Sequence, residues 1–486
     1  MIHGLDDKYI PFKERKKILL IGDDIRMTSG VSSVLRDIVI GTAMKYNWVQ
    51  IAGAINHPEQ GKRLDLSEDT NKHAQIIDSS VIIYPFNGYG DSNLIMQLIN
   101  IEKPDALMFM TDPRYFYWLF QIEDEIRKKI PMIYLNIWDD IPYPMYNKSF
   151  YESCDALFAI SKQTENINKV VLGDKINNKV IKYIPHGVNE EMFFPLTKEH
   201  EQYINFIKFK NNLLKNKEYD FIVLWNSRNI RRKSTSDLLL AWKMFIDTLN
   251  EEEAHKCALI LHTQPVDENG TDLPAVKDML FGNDKKYNII FSSNRLPTSE
   301  MNFLYNLCDV NILISSNEGW GLSLTEAMMV GKPIIANVTG GMQDQMRFED
   351  ENGEWIKFTE EFGSNHKGKY KKCGNWAFPI FPSNISLIGS VPTPYIYDDR
   401  VAPEDVAKNI KFVYNLEKSE KDDIGKMARQ WVTSDESMMS ARWMCKNIIN
   451  GIDETLEKFV PRVNYELLKV ETPKQPKHYV KFPIAQ

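Results

Sequence analysis

Short apolar runs, each closed by turn residues and followed by an amphipathic stretch, recur along this chain in two separate series. No other feature restricts the fold as much. The first run, Lys17-Ile-Leu-Leu-Ile-Gly22, gives way to Asp23, Asp24, a Thr-Ser-Gly turn and an amphipathic segment at 31–40. That order reads as strand, loop and helix start. Runs at 49–54, 106–110, 132–137, 155–160 and 180–184 continue the series, with helical patterns at 94–101 and 115–129 between them. A second series begins at Phe221-Ile-Val-Leu-Trp225 and continues with runs at 258–262, 288–291, 310–315 and 333–337. Strands that alternate with helices form parallel sheets covered on both faces. The expected fold class is therefore α/β: two doubly wound, Rossmann-like domains facing an inter-domain cleft. Ligands of such sheets bind in the crevice outside the carboxyl ends of the strands.

Between the two series, residues 189–219 lose the strand pattern and fill with Lys, Asn and Glu, a connection with room for a helix of its own. The division expected is an N-terminal domain at 1–195, a linker at 196–218, a C-terminal domain at 219–438, and a closing helix (440–459) with a Lys-rich tail at 439–486. Residues 347–400 break the second series with Gly, Pro and aromatics, and read as an insertion. A chain of 486 residues exceeds what one core supports, and 43% hydrophobic with 26% charged residues describes a soluble globular protein. The formal net charge of -7 argues against a basic coat, while the Lys-rich stretches at 13–17, 208–217 and 366–372 are either solvated faces or local grooves. Five dispersed cysteines with no Cys-x-x-Cys pair point to a reducing compartment and no structural zinc. No signal peptide is evident in the first seventeen residues, and no apolar run is long enough to span a bilayer. The expected location is cytoplasmic, with no transmembrane segment.

Three features of the second half converge on one ligand chemistry. The stretch Leu224-Trp-Asn-Ser-Arg228-Asn-Ile-Arg-Arg-Lys233-Ser-Thr-Ser ends a strand, sets two cations five positions apart and opens a helix expected at 237–248. Free N–H groups and the helix dipole add to such charges at an anion site. An Arg grips phosphate oxygens in two-pronged fashion, while Lys supplies a point charge. Read alone, the stretch is also a solvated basic helix start. The second feature places Glu318 in a loop with Gly319, Trp320 and Gly321, and Glu326 in the helix that follows. A carboxylate there accepts hydrogen bonds from vicinal hydroxyls of a ribose or sugar, or simply complements the helix dipole. The third is Asn337-Val-Thr-Gly340-Gly341, a strand-end diglycine that lets backbone approach a ligand closely.

Taken together, Arg228 and Lys233, Glu318-x7-Glu326 and Gly340-Gly341 resemble the retaining glycosyltransferases of family 4, which have the GT-B fold. Pro185-His186-Gly-Val-Asn189 and the Gly30 loop after the first strand share the likeness, which covers residues 17–345 and 402–459. The resemblance implies a retaining transfer from a nucleoside-diphosphate sugar, hexosyl or pentosyl, with no cofactor and no metal. It implies that Arg228 and Lys233 neutralise the donor diphosphate, taking a metal's place in stabilising the leaving group. Glu326 would bind ribose hydroxyls, Glu318 would hold the donor sugar near its reacting carbon, and Gly30 would let the N-terminal domain close on the phosphates. Gly319, Trp320, Gly321, Gly340 and Gly341 complete the implied donor site, and the C-terminal helix packs back toward the N-terminal domain. One departure stands out: many members carry a His after the strand at 132–137, where this chain has Trp138-Asp139-Asp140. Asp139 or Asp140 either orients the acceptor hydroxyl or caps the next turn. His186 either lines the cleft or is structural.

The acceptor is expected against the N-terminal domain. Asp112-Pro-Arg114-Tyr-Phe-Tyr-Trp118 follows a strand end, so it faces the crevice, with aromatics that serve either the acceptor or the core. The candidate catalytic residues are Arg228, Lys233, Glu318 and Asp139; the acceptor candidates are Asp112, Arg114, Trp138, Asp139, Asp140 and His186. The segments Thr-Asp-Pro-Arg, Trp-Asp-Asp-Ile-Pro-Tyr-Pro and Gly-Gly-Met-Gln-Asp-Gln345 resemble glycosyltransferases encoded by large bacteriophages. Some of those act on hydroxymethylated pyrimidines in DNA, and the aromatic, Lys-bearing stretch 367–381 suits a DNA-facing surface. Saccharide, lipid-linked and protein acceptors are the alternatives, favoured by the acidic total charge. An epimerase or phosphorylase of the same fold, and a non-catalytic nucleotide-binding protein, are the competing functions.

Overall fold

The computed structural model describes residues 9–53 and 56–463. The Lys-rich tail from 464 onward, the first eight residues, and Ala54 at the end of one expected strand lie outside the described residues. Two sheets organise the rest. The first contains β1 (Lys16–Asp23), β2 (Tyr46–Gly53), β3 (Leu64–Asp65), β4 (Val81–Pro85), β5 (Ala106–Met110), β6 (Met132–Asn136), β7 (Ala156–Ala159) and β8 (Val180–Tyr183). Their order is β3-β4-β2-β1-β5-β6-β7-β8, parallel throughout except for the short edge strand β3. The strands β2, β5, β6 and β7 are buried at every residue, as a parallel sheet covered by helices on both faces requires.

The second sheet holds β9 (Phe221–Asn226), β10 (Cys257–His262), β11 (Ile289–Ser292), β12 (Val310–Leu313), β13 (Ile334–Asn337) and β14 (Ala377–Ile380), in the order β11-β10-β9-β12-β13-β14. All of its pairings are parallel. The connecting stretch between the sheets carries a helix, Tyr203–Leu213, whose Phe206 and Phe209 pack on Phe303 of the second half. The last helix, Ala441–Lys458, is capped by the Ser440 hydroxyl and lies against the helix Gly30–Thr42 and the β7–β8 edge of the first sheet. Gly451 makes this approach possible: a Cβ there would come within 2.5 Å of the Phe158 ring. Tyr46 donates to Asp453 (2.6 Å) and Lys182 pairs with Glu454 (2.5 Å), tying the helix to the N-terminal half.

Two expectations need revision. The pattern at 115–129 is not one helix but a 3-10 turn (Pro113–Phe116) and two short helices, Tyr117–Phe120 and Glu123–Arg127. Four successive aromatics are indifferent helix formers; Phe116 and Phe120 both pack on Phe109, at 5.0 and 5.9 Å between ring centroids, and Phe120 also stacks on Phe150 at 4.7 Å. The insertion is also more regular than its composition suggests. It supplies β14 and an antiparallel hairpin, β15 (Asn384–Ser390) and β16 (Thr393–Arg400). Its rings are largely spent on packing: Trp376 stacks on Trp431 at 5.6 Å, Trp355 meets the same ring edge-on, and Phe381 and Tyr370 gather around His366. Side chains of this size bury roughly 150–250 Å² each, so these rings stabilise the fold and offer few faces for stacking on a base.

Candidate active site

The carboxyl ends of both sheets open onto one cleft of about 1440 Å³. On the second half, β9 ends at Asn226 and the chain turns through a 3-10 segment, Arg231–Lys233, before the helix Thr235–Ile246. Ser234, between the two, adopts a left-handed φ of 52°, which reverses the chain next to Lys233. Lys233 lies on the cleft floor with only 8% of its side chain exposed, and its ammonium is bonded to the Glu318 carboxylate. Arg232 bonds the same carboxylate from its Nη1 (3.0 Å) and also donates to the Asn317 carbonyl (2.7 Å). Burial, with Arg232 alongside, pulls the Lys233 ammonium down to about 8 despite its pairing with Glu318. Burial pushes the Glu318 carboxyl up, but the two cations outweigh it and hold the group at about 2.

The cation pair read from the sequence therefore divides. Lys233 occupies the floor, while Arg228 stands at the rim, 64% exposed and bonded to Asp267 at 2.8 and 3.2 Å. Arg232, which sequence reasoning did not single out, takes the place beside Lys233. Its signal lay in the run Arg231-Arg232-Lys233, three cations in one tight turn after β9.

The Glu318 loop is shaped by glycines. A Cβ at Gly319 would sit 3.0 Å from the Ile137 carbonyl, so this loop of the second half touches the strand ends of the first. Gly321, at φ 88°, precedes the helix Leu322–Met329, whose first residues line the cleft. Gly340 and Gly341 do not line it. A Cβ on either would fall within 2.2 Å of the Glu318 or Gly319 carbonyl, and Gly341 N–H donates to the Glu318 carbonyl at 2.9 Å. The close approach that the diglycine permits is thus to the Glu318 loop, not to a ligand.

Trp320 walls the cleft, its indole N–H on Thr325 and its ring edge-on to His186 at 6.3 Å. Burial pulls the His186 imidazole down to about 3, so it is neutral. Glu326 accepts from the Tyr305 hydroxyl at 2.5 Å, and that hydroxyl in turn accepts from Asn226 at 2.7 Å. Burial raises the Glu326 carboxyl to about 7, and Asp37 of the facing helix Gly30–Thr42 pushes it further the same way. Gly30 opens that helix at the seam between the halves, where a Cβ would stand 3.2 Å from Leu322.

The wall contributed by the first sheet is acidic. Asp139 and Asp140 follow β6; burial raises Asp139 to about 6 against the pull of Arg232, and burial with Asp139 raises Asp140 well above the usual carboxylate range. Arg114 is bonded to Asp112, lies over the Trp138 ring at 5.7 Å and donates to Thr393 of β16. Trp138 itself is buried, its indole N–H on the Asp140 carbonyl at 3.2 Å. All six acceptor candidates thus reach the same cleft. Among the described residues, no group of three or more His, Cys, Asp or Glu side chains is placed to hold a metal ion, and no helix is long and apolar enough to cross a membrane.

A family model described as "Glycosyl transferases group 1" matches residues 275–363, the part of the chain that holds Glu318, Glu326 and the diglycine. No curated protein matches the sequence. Among solved structures, sucrose-phosphate synthase from Thermosynechococcus elongatus aligns with a TM-score of 0.62 at 14% identity, covering 91% of this chain and 100% of that one. The Anabaena protein HepE, solved with UDP and glucose, aligns with a TM-score of 0.61 at 13% identity over 90% of this chain and 100% of its own. An alpha,alpha-trehalose-phosphate synthase (UDP-forming) from Burkholderia xenovorans, solved with glucose-6-phosphate, gives 0.58 at 9% identity over 90% and 100%. The fold is that of the GT-B glycosyltransferases, two Rossmann-like domains about a cleft.

Proposed function

We propose that this protein is a glycosyltransferase that moves a sugar from a nucleoside-diphosphate donor to an acceptor hydroxyl. The observation that carries the reading is the Arg232–Lys233–Glu318 cluster in the cleft, with Lys233 and Glu318 buried and Arg232 partly exposed, next to the loop that leads into the helix Leu322–Met329. Two cations and free helix N–H groups form an anion site. Breaking the sugar–phosphate bond places negative charge on the leaving diphosphate, and preorganised donors aimed at developing charge supply the largest part of such catalysis. Glu318 compensates both cations. An arriving diphosphate displaces it, and the freed carboxylate accepts a hydrogen bond from a donor-sugar hydroxyl. Arg228 guards the rim, and Glu326, in reach of Tyr305 and Asn226, takes the ribose hydroxyls. Uridine diphosphate is the first nucleotide to test, because HepE was solved with it.

The sugar's anomeric carbon loses the diphosphate and gains the acceptor oxygen, and the acceptor's proton goes to a leaving phosphate oxygen. In this form, consistent with the resemblance to retaining enzymes, attack is on the same face, the attacking hydroxyl donates to the leaving phosphate oxygen, and Asp139 orients the acceptor by accepting from a neighbouring hydroxyl. One observation favours a second form. Asp139, pushed up to about 6, is a competent general base near neutral pH and would support inversion. The anomeric configuration of the product, read from its proton coupling, distinguishes the two. For DNA as acceptor the stacking surface at 367–381 is weakened, since Trp376 stacks on Trp431 and Phe381 and Tyr370 gather around His366, while the resemblance to phage enzymes is left as it was. A thermal-shift screen of nucleotide sugars, followed by an assay for nucleoside diphosphate released without acceptor, tests the proposal. Stabilisation by one donor together with slow hydrolysis is expected. Binding without any release indicates a nucleotide-binding protein instead.

A further inference from the structure

The hairpin β15–β16 belongs by sequence to the second half yet is fastened to both. Toward the donor loop, Asp399 N–H donates to the Ser316 carbonyl (2.9 Å), the Ser316 hydroxyl to Asp398 (2.6 Å), and the Asn317 amide to the Tyr397 carbonyl (3.1 Å). Toward the first half, Tyr397 N–H donates to the Ile141 carbonyl (2.6 Å), the Tyr146 hydroxyl to the Tyr395 carbonyl (3.0 Å), and Arg114 to the Thr393 hydroxyl. Strand β16 is therefore a strap joining the loop that carries Glu318 to the loop that carries Asp139 and Asp140. Ahead of this strap, Ile388 and its cross-strand partner Ile396, with Thr393 and Ser390, line the cleft.

Building on the glycosyltransferase reading, we propose that this hairpin closes the acceptor subsite and selects an uncharged, polyhydroxylated acceptor such as the terminal residue of a saccharide. Three observations support it. First, among the described residues the cations beside the hairpin are each matched one to one by a carboxylate, Arg114 by Asp112 and Arg400 by Asp398, unlike Arg232 and Lys233, which share Glu318. Charges balanced in this way offer an incoming polyanion no net attraction. Second, Asp140 Oδ1 is buried with no hydrogen-bond partner among the described residues. A buried polar atom left unpaired costs free energy that a hydroxyl from an acceptor recovers. Third, Ile388 and Ile396 present an apolar patch beside these carboxyls, the mixture that suits a sugar ring with its polar edges and apolar faces.

The test measures initial rates with the identified donor and a set of methyl glycosides and neutral disaccharides, with glucose 6-phosphate and a duplex containing 5-hydroxymethylcytosine in parallel. Transfer to neutral glycosides, with both anionic acceptors poor, is expected. In Ile388→Asp the acceptor KM rises about tenfold while donor affinity by calorimetry holds, and Ile388→Leu restores the KM. Transfer to the hydroxymethylated duplex or the phosphorylated sugar in preference to every neutral glycoside overturns the assignment, as does an unchanged acceptor KM in Ile388→Asp. A wild-type protein that neither binds nor hydrolyses any nucleotide sugar instead refutes the donor reading, and this inference falls with it.

Discussion

The two walls of the cleft differ in charge and in how the chain assembles them. The wall proposed for the donor draws Arg228, Arg232 and Lys233 from one short stretch, and Glu318 and Glu326 from another. It is the basic side. The wall proposed for the acceptor takes Asp112 and Arg114 from the end of β5, Asp139 and Asp140 from the end of β6, and Thr393 and Ile396 from a hairpin of the other half. That side is acidic. The difference teaches that leaving-group stabilisation, which needs only a few donors on a rigid floor, fits within local motifs. Acceptor choice is assembled from distant loops, where variation leaves the floor undisturbed.

The sharpest way to break this contrast is to remove the floor. Lys233→Ala should lower kcat by about 10²–10³, the cost of losing one preorganised donor to developing charge. Circular dichroism and melting temperature should show the fold retained. If that variant turns over at near wild-type rates, the basic wall is not where the leaving group sits.

A second test sets the walls against each other through pH. Asp139 must be ionised to accept from the acceptor hydroxyl, and its raised value near 6 means that activity is lost as pH falls through about 6. Lys233 must be protonated, and its lowered value near 8 means that activity is lost as pH rises through about 8. The profile of kcat/KM, which reports the free enzyme, should be a bell between those limits. Glu326, raised to about 7, adds to the acid limb through donor binding, so Asp139→Asn should make that limb shallower below 6 and leave the alkaline one; an unchanged acid limb or a lost alkaline limb contradicts the assignment.

The smallest effect belongs to the rim. Arg228 is mostly exposed and already paired with Asp267, so Arg228→Ala should weaken donor binding by about tenfold, or ~1.4 kcal/mol, with kcat nearly unchanged. A loss in kcat as large as that of Lys233→Ala would move Arg228 from the rim to the floor.

Much of this molecule was legible from pattern alone, because buried parallel strands are continuous apolar runs. The run at 17–22 falls within β1, that at 106–110 is β5, and the helix at 440–459 spans Ala441–Lys458 with its two caps. Lys233 and Glu318 were legible as local motifs, and the structure brings them into contact. The rest depended on tertiary placement. Arg232 differs from its neighbour Arg231 in which way a 3-10 turn points it, and no periodicity reports that. Gly340 and Gly341 advertise a close approach without naming the partner, which proved to be the Glu318 loop. The aromatics near 376 carry no local mark that separates a stacking surface from a core; Trp431, far along the chain, decided it. The hairpin β15–β16 was hidden because its strands are paired only with each other and its anchors lie on both sheets' loops.

The most direct measurement is a crystal structure with uridine diphosphate, or the diphosphate of whichever donor stabilises the protein best. It should show pyrophosphate oxygens about 3 Å from Lys233 Nζ and the Arg232 guanidinium, with the Glu318 carboxylate displaced from both. A nucleotide bound elsewhere, or bound with Lys233 still on Glu318, would contradict the account.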